Sequence, residues 1–337
     1  SGRVGQVGPL GLGRLRPQPQ TTFVLWLLIA VSLTGYLIEG ARIARDFPPF
    51  ERWSPVGYLV ALGLALAGPV VAVQAEQAGP FELGQKFVTE HKVKSLVGPS
   101  VQIDDAGTIS LAWMEEDKDV RSVLYARSIA PGGPMGSPVR INRPEEIPYW
   151  RQEAPALTVA GDDVFVTWGL AHPKATPQQP LATELRLSRS TNGGKTFGPS
   201  VAVNDDPGVI QHTFDALHRD ADGRLHLSWI DGREGRKDPG TYVARSLDQG
   251  QTVTSNRKVD EGTCVCCRTA VTSGPDGTVY VAWRKIFEDN VRETVVARSL
   301  DHGETFERPV IVGHDQWVFP ACPHRPASMG VDRQGRL

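Results

Sequence analysis

Hydrophobic and polar positions alternate along most of this chain, and at four places the alternation runs from a glycine to a tryptophan. Gly107 leads through Ile109 and Leu111 to Trp113, Gly223 through Leu225 and Leu227 to Trp229, and Gly277 through Val279 and Val281 to Trp283. A looser copy runs from Gly161 to Trp168. Period-two alternation rich in β-branched and aromatic residues, bounded by Gly and Asp, is the signal of a strand. After each of the last three copies comes a second strand-like run, at 184–188, 241–245 and 293–298. In the last complete unit the pattern predicts four strands, near 268–273, 278–283, 293–298 and 309–312. Four short antiparallel strands per unit is the content of one blade of a β-propeller, so residues 97–337 are expected to be all-β.

The first quarter follows another rule. Residues 22–37 are nearly all apolar, and 55–75 form a second apolar run, without an amphipathic stripe. Each is long enough, or nearly so, to span a bilayer core of about 30 Å as a helix. Pro48 and Pro49 break the segment between them, since proline lacks a backbone donor and disfavours helix before it. The predicted organisation is therefore a flank (1–21), a transmembrane α-hairpin (22–75), a linker (76–96) and the β-domain (97–337). Arginines 3, 14 and 16 precede the first run and 42, 45 and 52 lie between the runs, so positive charge nearly balances across the hairpin.

The turns carry the repeat. Ser190, Asn192, Gly194 and Thr196 recur as Ser246, Asp248, Gly250 and Thr252, and as Ser299, Asp301, Gly303 and Thr305, spaced 56 and 53 residues apart. A short Asp or Asn side chain can bond the backbone two residues on, and Gly supplies positive φ, so each copy closes a tight turn. Recurrence at such intervals marks one supersecondary unit repeated. Composition fits: 35 Gly and 26 Pro among 337 residues suit a chain dense in turns. A net charge of −2 without a basic block excludes nucleic acid as a natural partner.

These three turns resemble the Asp-boxes, or bacterial neuraminidase repeats, of sialidase-like six-bladed β-propellers. The resemblance covers about residues 97–337, with a worn copy at Ser128 in the first unit. It implies the fold and leaves the chemistry open, because the Asp-box residues are structural. About four and a half blades are counted, and a propeller must close to cover its edge strands, so a longer protein is expected. Strand parity puts the Asp-box turns on one face and the segments that open each blade on the other. A sialidase, as the resemblance implies, would hold a substrate carboxylate with three arginines, here Arg151, Arg268 and Arg325. Its acid/base and Tyr–Glu nucleophile would come from Asp215, Tyr149 and Glu153. The Arg-Ile-Pro string of such enzymes is absent; Glu146, Ile147 and Pro148 stand nearest to it.

A rival site lies in the same openings. All four cysteines, Cys264, Cys266, Cys267 and Cys322, fall in two of them, followed by His324, with His212 in the preceding one. Cys and His suit Cu or Zn. The alternative is a disulfide, most simply Cys264–Cys322.

The first apolar run and its sequel, with residues 34–44 and 49–58 the most telling, resemble over roughly 50 residues the membrane cytochrome b subunits related to the nitrate reductase gamma chain and heterodisulfide reductase. That family ligates haem through transmembrane His, and no His precedes His91, so no haem ligand is visible. The two resemblances imply a membrane-anchored, extracytoplasmic propeller with a binding or redox-linked role, its partner a membrane redox complex or a glycan. The alternative is an exo-sialidase or related glycoside hydrolase.

Overall fold

The computed structural model describes residues 95–149, 154–179, 182–235, 238–319, 321, 324 and 326–337. The expected hairpin, its flank and most of the linker lie outside the described residues. Among the described residues no helix is long and apolar enough to cross a membrane.

The described chain is all-β and antiparallel, in four sheets that follow one another along the sequence. The first holds β1 (Ser95–Ile103), β2 (Ile109–Asp117), β3 (Val120–Arg127) and β4 (Val139–Arg140). The second holds β5 (Ala156–Ala160), β6 (Asp163–Ala171), β7 (Thr183–Ser190) and β8 (Val201–Ala202). In the third are β9 (His212–Arg219), β10 (Leu225–Asp231), β11 (Gly240–Ser246) and β12 (Arg257–Asp260). The fourth has β13 (Ala270–Ser273), β14 (Val279–Ile286), β15 (Val291–Ser299) and β16 (Val310–Ile311). In each sheet the strands pair in chain order, and the first strands β1, β5, β9 and β13 lie beside one another in succession. The fourth sheet adds β17 (Trp317–Val318), which the pattern did not predict. It pairs with the start of β15 while β16 pairs further along, so the departing chain covers the same edge twice.

The glycine-to-tryptophan runs are the second strands, and their register repeats. Trp113 opposes Leu124, Trp168 opposes Arg186, Trp229 opposes Tyr242 and Trp283 opposes Val295. Each partner lies four residues before the serine of its turn, Ser128, Ser190, Ser246 or Ser299. Facing neighbours give the cores. Trp168 packs with Val164 and Val166 against Met114, Val123 and Tyr125 of the sheet before it. Trp229, Leu225 and Leu227 pack on Phe165, Leu185 and Leu187. Trp283 and Val281 meet Val243. These tryptophans are 0–1% exposed, so each intersheet core is anchored by one large aromatic from the later sheet.

The Asp-box turns form with one change from the expected bonding. The Asp or Asn side chain reaches the Thr amide four residues on, at 3.0 Å from Thr196, 2.9 Å from Thr252 and 2.8 Å from Thr305. The serine hydroxyl accepts the intervening glycine amide, at 2.9, 2.7 and 2.7 Å. A second turn repeats, between the first two strands of the first and third sheets and again at 332–336. Asp104, Asp220 and Asp332 each accept, through Oδ1, the amide of the residue four ahead, around Gly107, Gly223 and Gly335. Both turn types share one end of the module: the Gly193 amide donates to Asp162 O, and Gly132 to Gly107 O, each at 2.9 Å.

An arginine before each turn serine ties neighbouring sheets together. Arg127 donates to Gly161 O at 3.0 Å, Arg189 to Gln249 at 2.6 Å, and Arg245 to His302 O at 3.1 Å and to the Glu304 carboxylate. Arg298, in the last sheet, pairs with Glu307 of that sheet instead.

Candidate functional site

At the end opposite the Asp-boxes, the second, third and fourth sheets each open with a segment hydrogen-bonded to the exit of the second strand. The Tyr149 amide donates to Gly169 O at 2.7 Å, Gly232 to Gln211 O at 2.8 Å, and Cys264 to Arg284 O at 2.8 Å. Three of the expected openings thus occupy equivalent places. Arg151, Glu153, Cys322 and Arg325 lie outside the described residues.

The opening of the fourth sheet is the most built. Gly262 turns the chain at φ +69°, and Ile286 donates back to its carbonyl at 2.7 Å. The chain then coils through Cys264–Cys267 before β13 begins. Three bonds stitch this coil to the third sheet. Gln211 donates to Val265 O at 3.0 Å, Arg268 to Asp215 O at 2.8 Å, and the Thr269 amide to Phe214 O at 3.1 Å. The side chains of Cys264, Cys266 and Cys267 consequently turn into one buried space, at 0, 4 and 0% exposure. Their sulfur atoms lie within 4.8 Å of one another, and Cys264 Sγ is 3.8 Å from Cys266 Sγ. Phe214, Ile230, Val265 and Ile286 wall the space with apolar surface.

One charged group enters it. Arg292, on β15, is 8% exposed, donates from Nη1 to Cys264 Sγ at 2.9 Å, and from Nη2 to Asn290 Oδ1 at 3.1 Å. Hydrogen bonds from Cys266 and Cys267 hold the Cys264 thiol well below its ordinary range, with the Arg292 charge adding to them against the opposing effect of burial. A thiolate is the nucleophilic and metal-binding form of cysteine. Arg292 was missed in the sequence; it sits in a strand with no motif around it, and only the stacking of β15 beside the coil brings it to the sulfurs.

A β-bulge shapes the neighbouring wall. On β9 the register slips opposite Trp229, and Phe214 sits at φ +57°, rare for a bulky residue. The bulge turns Phe214 toward the cysteines and leaves Asp215 buried, its carboxylate accepting from Thr167.

His212 does not join the thiols. It pairs with Asp231 across β9 and β10, on the face that carries Trp229, which is the face of the second sheet. Its Nδ1 is 2.6 Å from Thr183 O, which can only accept, so that nitrogen carries the proton; Nε2 is 3.7 Å from Asp231. Alternation along the strand thus sends His212 away from the coil. His324 stands behind Phe214, ring centroids 6.0 Å apart, and is not among the clustered ligand atoms. Cys264 is a free thiol, and Cys322, its expected disulfide partner, lies outside the described residues.

Of the expected sialidase set, Arg268 spends its guanidinium on backbone, donating to Asp215 O and Ala154 O. Tyr149 is 6% exposed and buried beside Gly169. Arg268 and Asp215 are brought together, but as parts of the seam that ties the opening of the fourth sheet to the second and third.

No protein-family profile and no curated protein matches the chain. Among solved structures it is similar to a Hadza microbial sialidase, with a TM-score of 0.46 and 16% identity, covering 63% of this chain and 46% of that one. It is also similar to the endo-arabinase of Bacteroides thetaiotaomicron, with a TM-score of 0.44 and 12% identity over 66% of this chain and 82% of that one. A third likeness is to the intramolecular trans-sialidase of Ruminococcus gnavus, with a TM-score of 0.46 and 13% identity over 66% and 71%. This chain spans less than half the length of the first. At these identities and TM-scores the likenesses assign no activity to it.

Proposed function

We propose that the four sheets are consecutive blades of a sialidase-like β-propeller with a binding or redox-linked role, and that its working centre is the coil of Cys264, Cys266 and Cys267 holding a thiophilic metal ion, copper or zinc. One observation carries this reading: three buried sulfurs converge within 4.8 Å beside a guanidinium. Burying three thiols together on a coil that needs three cross-sheet bonds to hold it gives packing little that aliphatic residues would not give better. A shared ligand gives the convergence a purpose.

In this reading the apolar runs at 22–37 and 55–75 anchor the module to a membrane, outside the cytoplasm and beside a membrane redox partner. Carbonate extraction without detergent would leave the protein in the membrane fraction; its release would remove the anchor. For the centre itself, the reduced full chain is expected to bind one equivalent of metal, and Cys266→Ser to lose it while staying folded. Absence of metal uptake by the folded chain would end the reading.

Glycoside hydrolysis is the second reading, favoured by the meeting of Arg268 and Asp215 at the end of the module where the blades open. It expects release of a fluorescent phenol from its sialoside, abolished by Arg268→Ala with the fold intact.

A further inference from the structure

Resting on the metal-binding reading, we infer that the three-cysteine coil is a low-coordinate Cu(I) site in which Arg292 serves as the positioning and counter-charge residue. The donor set argues for the metal. Zn(II) takes four ligands in a closed structural site, or three with a water in an open one. Among the described residues the clustered ligand atoms are three sulfurs, without imidazole or carboxylate. Among the described residues, Phe214, Ile230, Val265 and Ile286 pack apolar surface around the three sulfurs. Cu(I) is soft, is selected by thiolates, and is satisfied by two or three of them.

The geometry agrees. The 3.8 Å between the sulfurs of Cys264 and Cys266 is about the edge of a trigonal site with ~2.3 Å metal–thiolate bonds, and all three sulfurs lie within 4.8 Å of one another. A monovalent ion among thiolates leaves an excess negative charge in an apolar space, which is costly without a partner. Arg292 answers that charge: it is buried, it points Nη1 at Cys264, and Asn290 fixes its other arm. An outer-shell donor of this kind orients the ligand and tunes the metal. Copper stays monovalent on binding, and displaced thiol protons leave to solvent, so no oxidant or reductant is required.

The test uses the reduced full chain under anaerobic conditions, titrated with Cu(I) against a soluble Cu(I) chelator and with Zn(II) in parallel. One Cu(I) per chain is expected, with a near-ultraviolet sulfur-to-copper band that Cys264→Ser and Cys266→Ser abolish. Cys266→Ala stands in should a buried serine hydroxyl unfold the coil, with circular dichroism checking each variant. Arg292→Met should weaken Cu(I) roughly tenfold or more and shift the band, and Arg292→Lys should recover most of both. Preference for Zn(II) at one per chain would overturn the choice of copper and leave a soft-metal site standing. Failure of the folded chain to bind either ion would overturn both. An Arg292→Met protein with unchanged affinity and band would remove Arg292 from the site.

Discussion

At the scale of single residues, the turns are where small changes should have large effects. Gly194 combines φ +83° with a closed environment: an added Cβ would lie 1.9 Å from Tyr125 Cε1, in the ring that fills the core between the first two sheets. Gly194→Ala is therefore expected to cost about 2–4 kcal/mol, from left-handed strain plus overpacking, read as a fall in denaturation midpoint. Gly250→Ala meets Phe165 at 3.3 Å and should cost less, mostly the strain alone. Asp301 gives a pH-dependent counterpart. Hydrogen bonds from the Thr305 hydroxyl and amide, then from Ser299, hold its carboxyl well below the ordinary 3.8. A depressed carboxyl stabilises the fold above its unfolded value and loses that contribution as pH falls through the folded one. Asp301→Ala should thus lower the melting temperature at pH 7, and the gap to the parent should close in strong acid. A gap unchanged from pH 7 to pH 2 would refute the carboxylate's part.

At the scale of elements, neighbouring sheets are joined by a repeated arginine and by the half-buried His218. Arg245 reaches from β11 to the Asp-box of the fourth sheet, binding His302 O and Glu304 with its side chain 12% exposed. Arg298 makes an exposed pair within its own sheet, at 55% and 46%. Arg245→Met should cost about 1–2 kcal/mol in urea denaturation, whereas Arg298→Met should stay within roughly 0.5. Equal effects would show that reach between sheets is unimportant. His218, on β9, bonds Ser273 of β13 at 2.8 Å. Burial pushes its pKa down to about 4, with the neighbouring His226 acting in the same direction. The unfolded chain then binds more protons between about pH 4 and 6.5, so stability should decline as pH falls through that window. His218→Gln should flatten the decline.

At the scale of the whole molecule, each core is shared. Trp229 is completely buried among residues of both the second and third sheets. Trp229→Ala should cost about 3–5 kcal/mol and raise amide exchange in β6 as well as β10. Exchange confined to the third sheet would mean the sheets are independent. The thiol coil depends on the same sharing: Gln211 and Phe214 come from the third sheet, Arg292 from the fourth. Where a sheet shifts, the site shifts with it.

This division explains what could be read in advance. The strands, the tryptophan register, the Asp-boxes and the end at which Cys264 lies follow from alternation and turn residues, which act over a few neighbours and repeat from sheet to sheet. Gly335 illustrates it: the same local phrase that closes turns at Gly107 and Gly223 forms again at 332–336. The membrane expectation rests on residues outside those described. The composition of the site was another matter. That Cys264, Cys266 and Cys267 converge required the coil to be held by another sheet, and that Arg292 faces them required β15 to stack beside it. His212, equally close in sequence terms, was excluded by strand alternation, and Phe214 was admitted by a one-residue bulge opposite Trp229. Alternation and turns are short-range and additive, so the linear chain encodes them. Convergence of side chains from residues 214, 264 and 292 depends on how whole sheets pack and on a single register slip, and only the tertiary structure decides those.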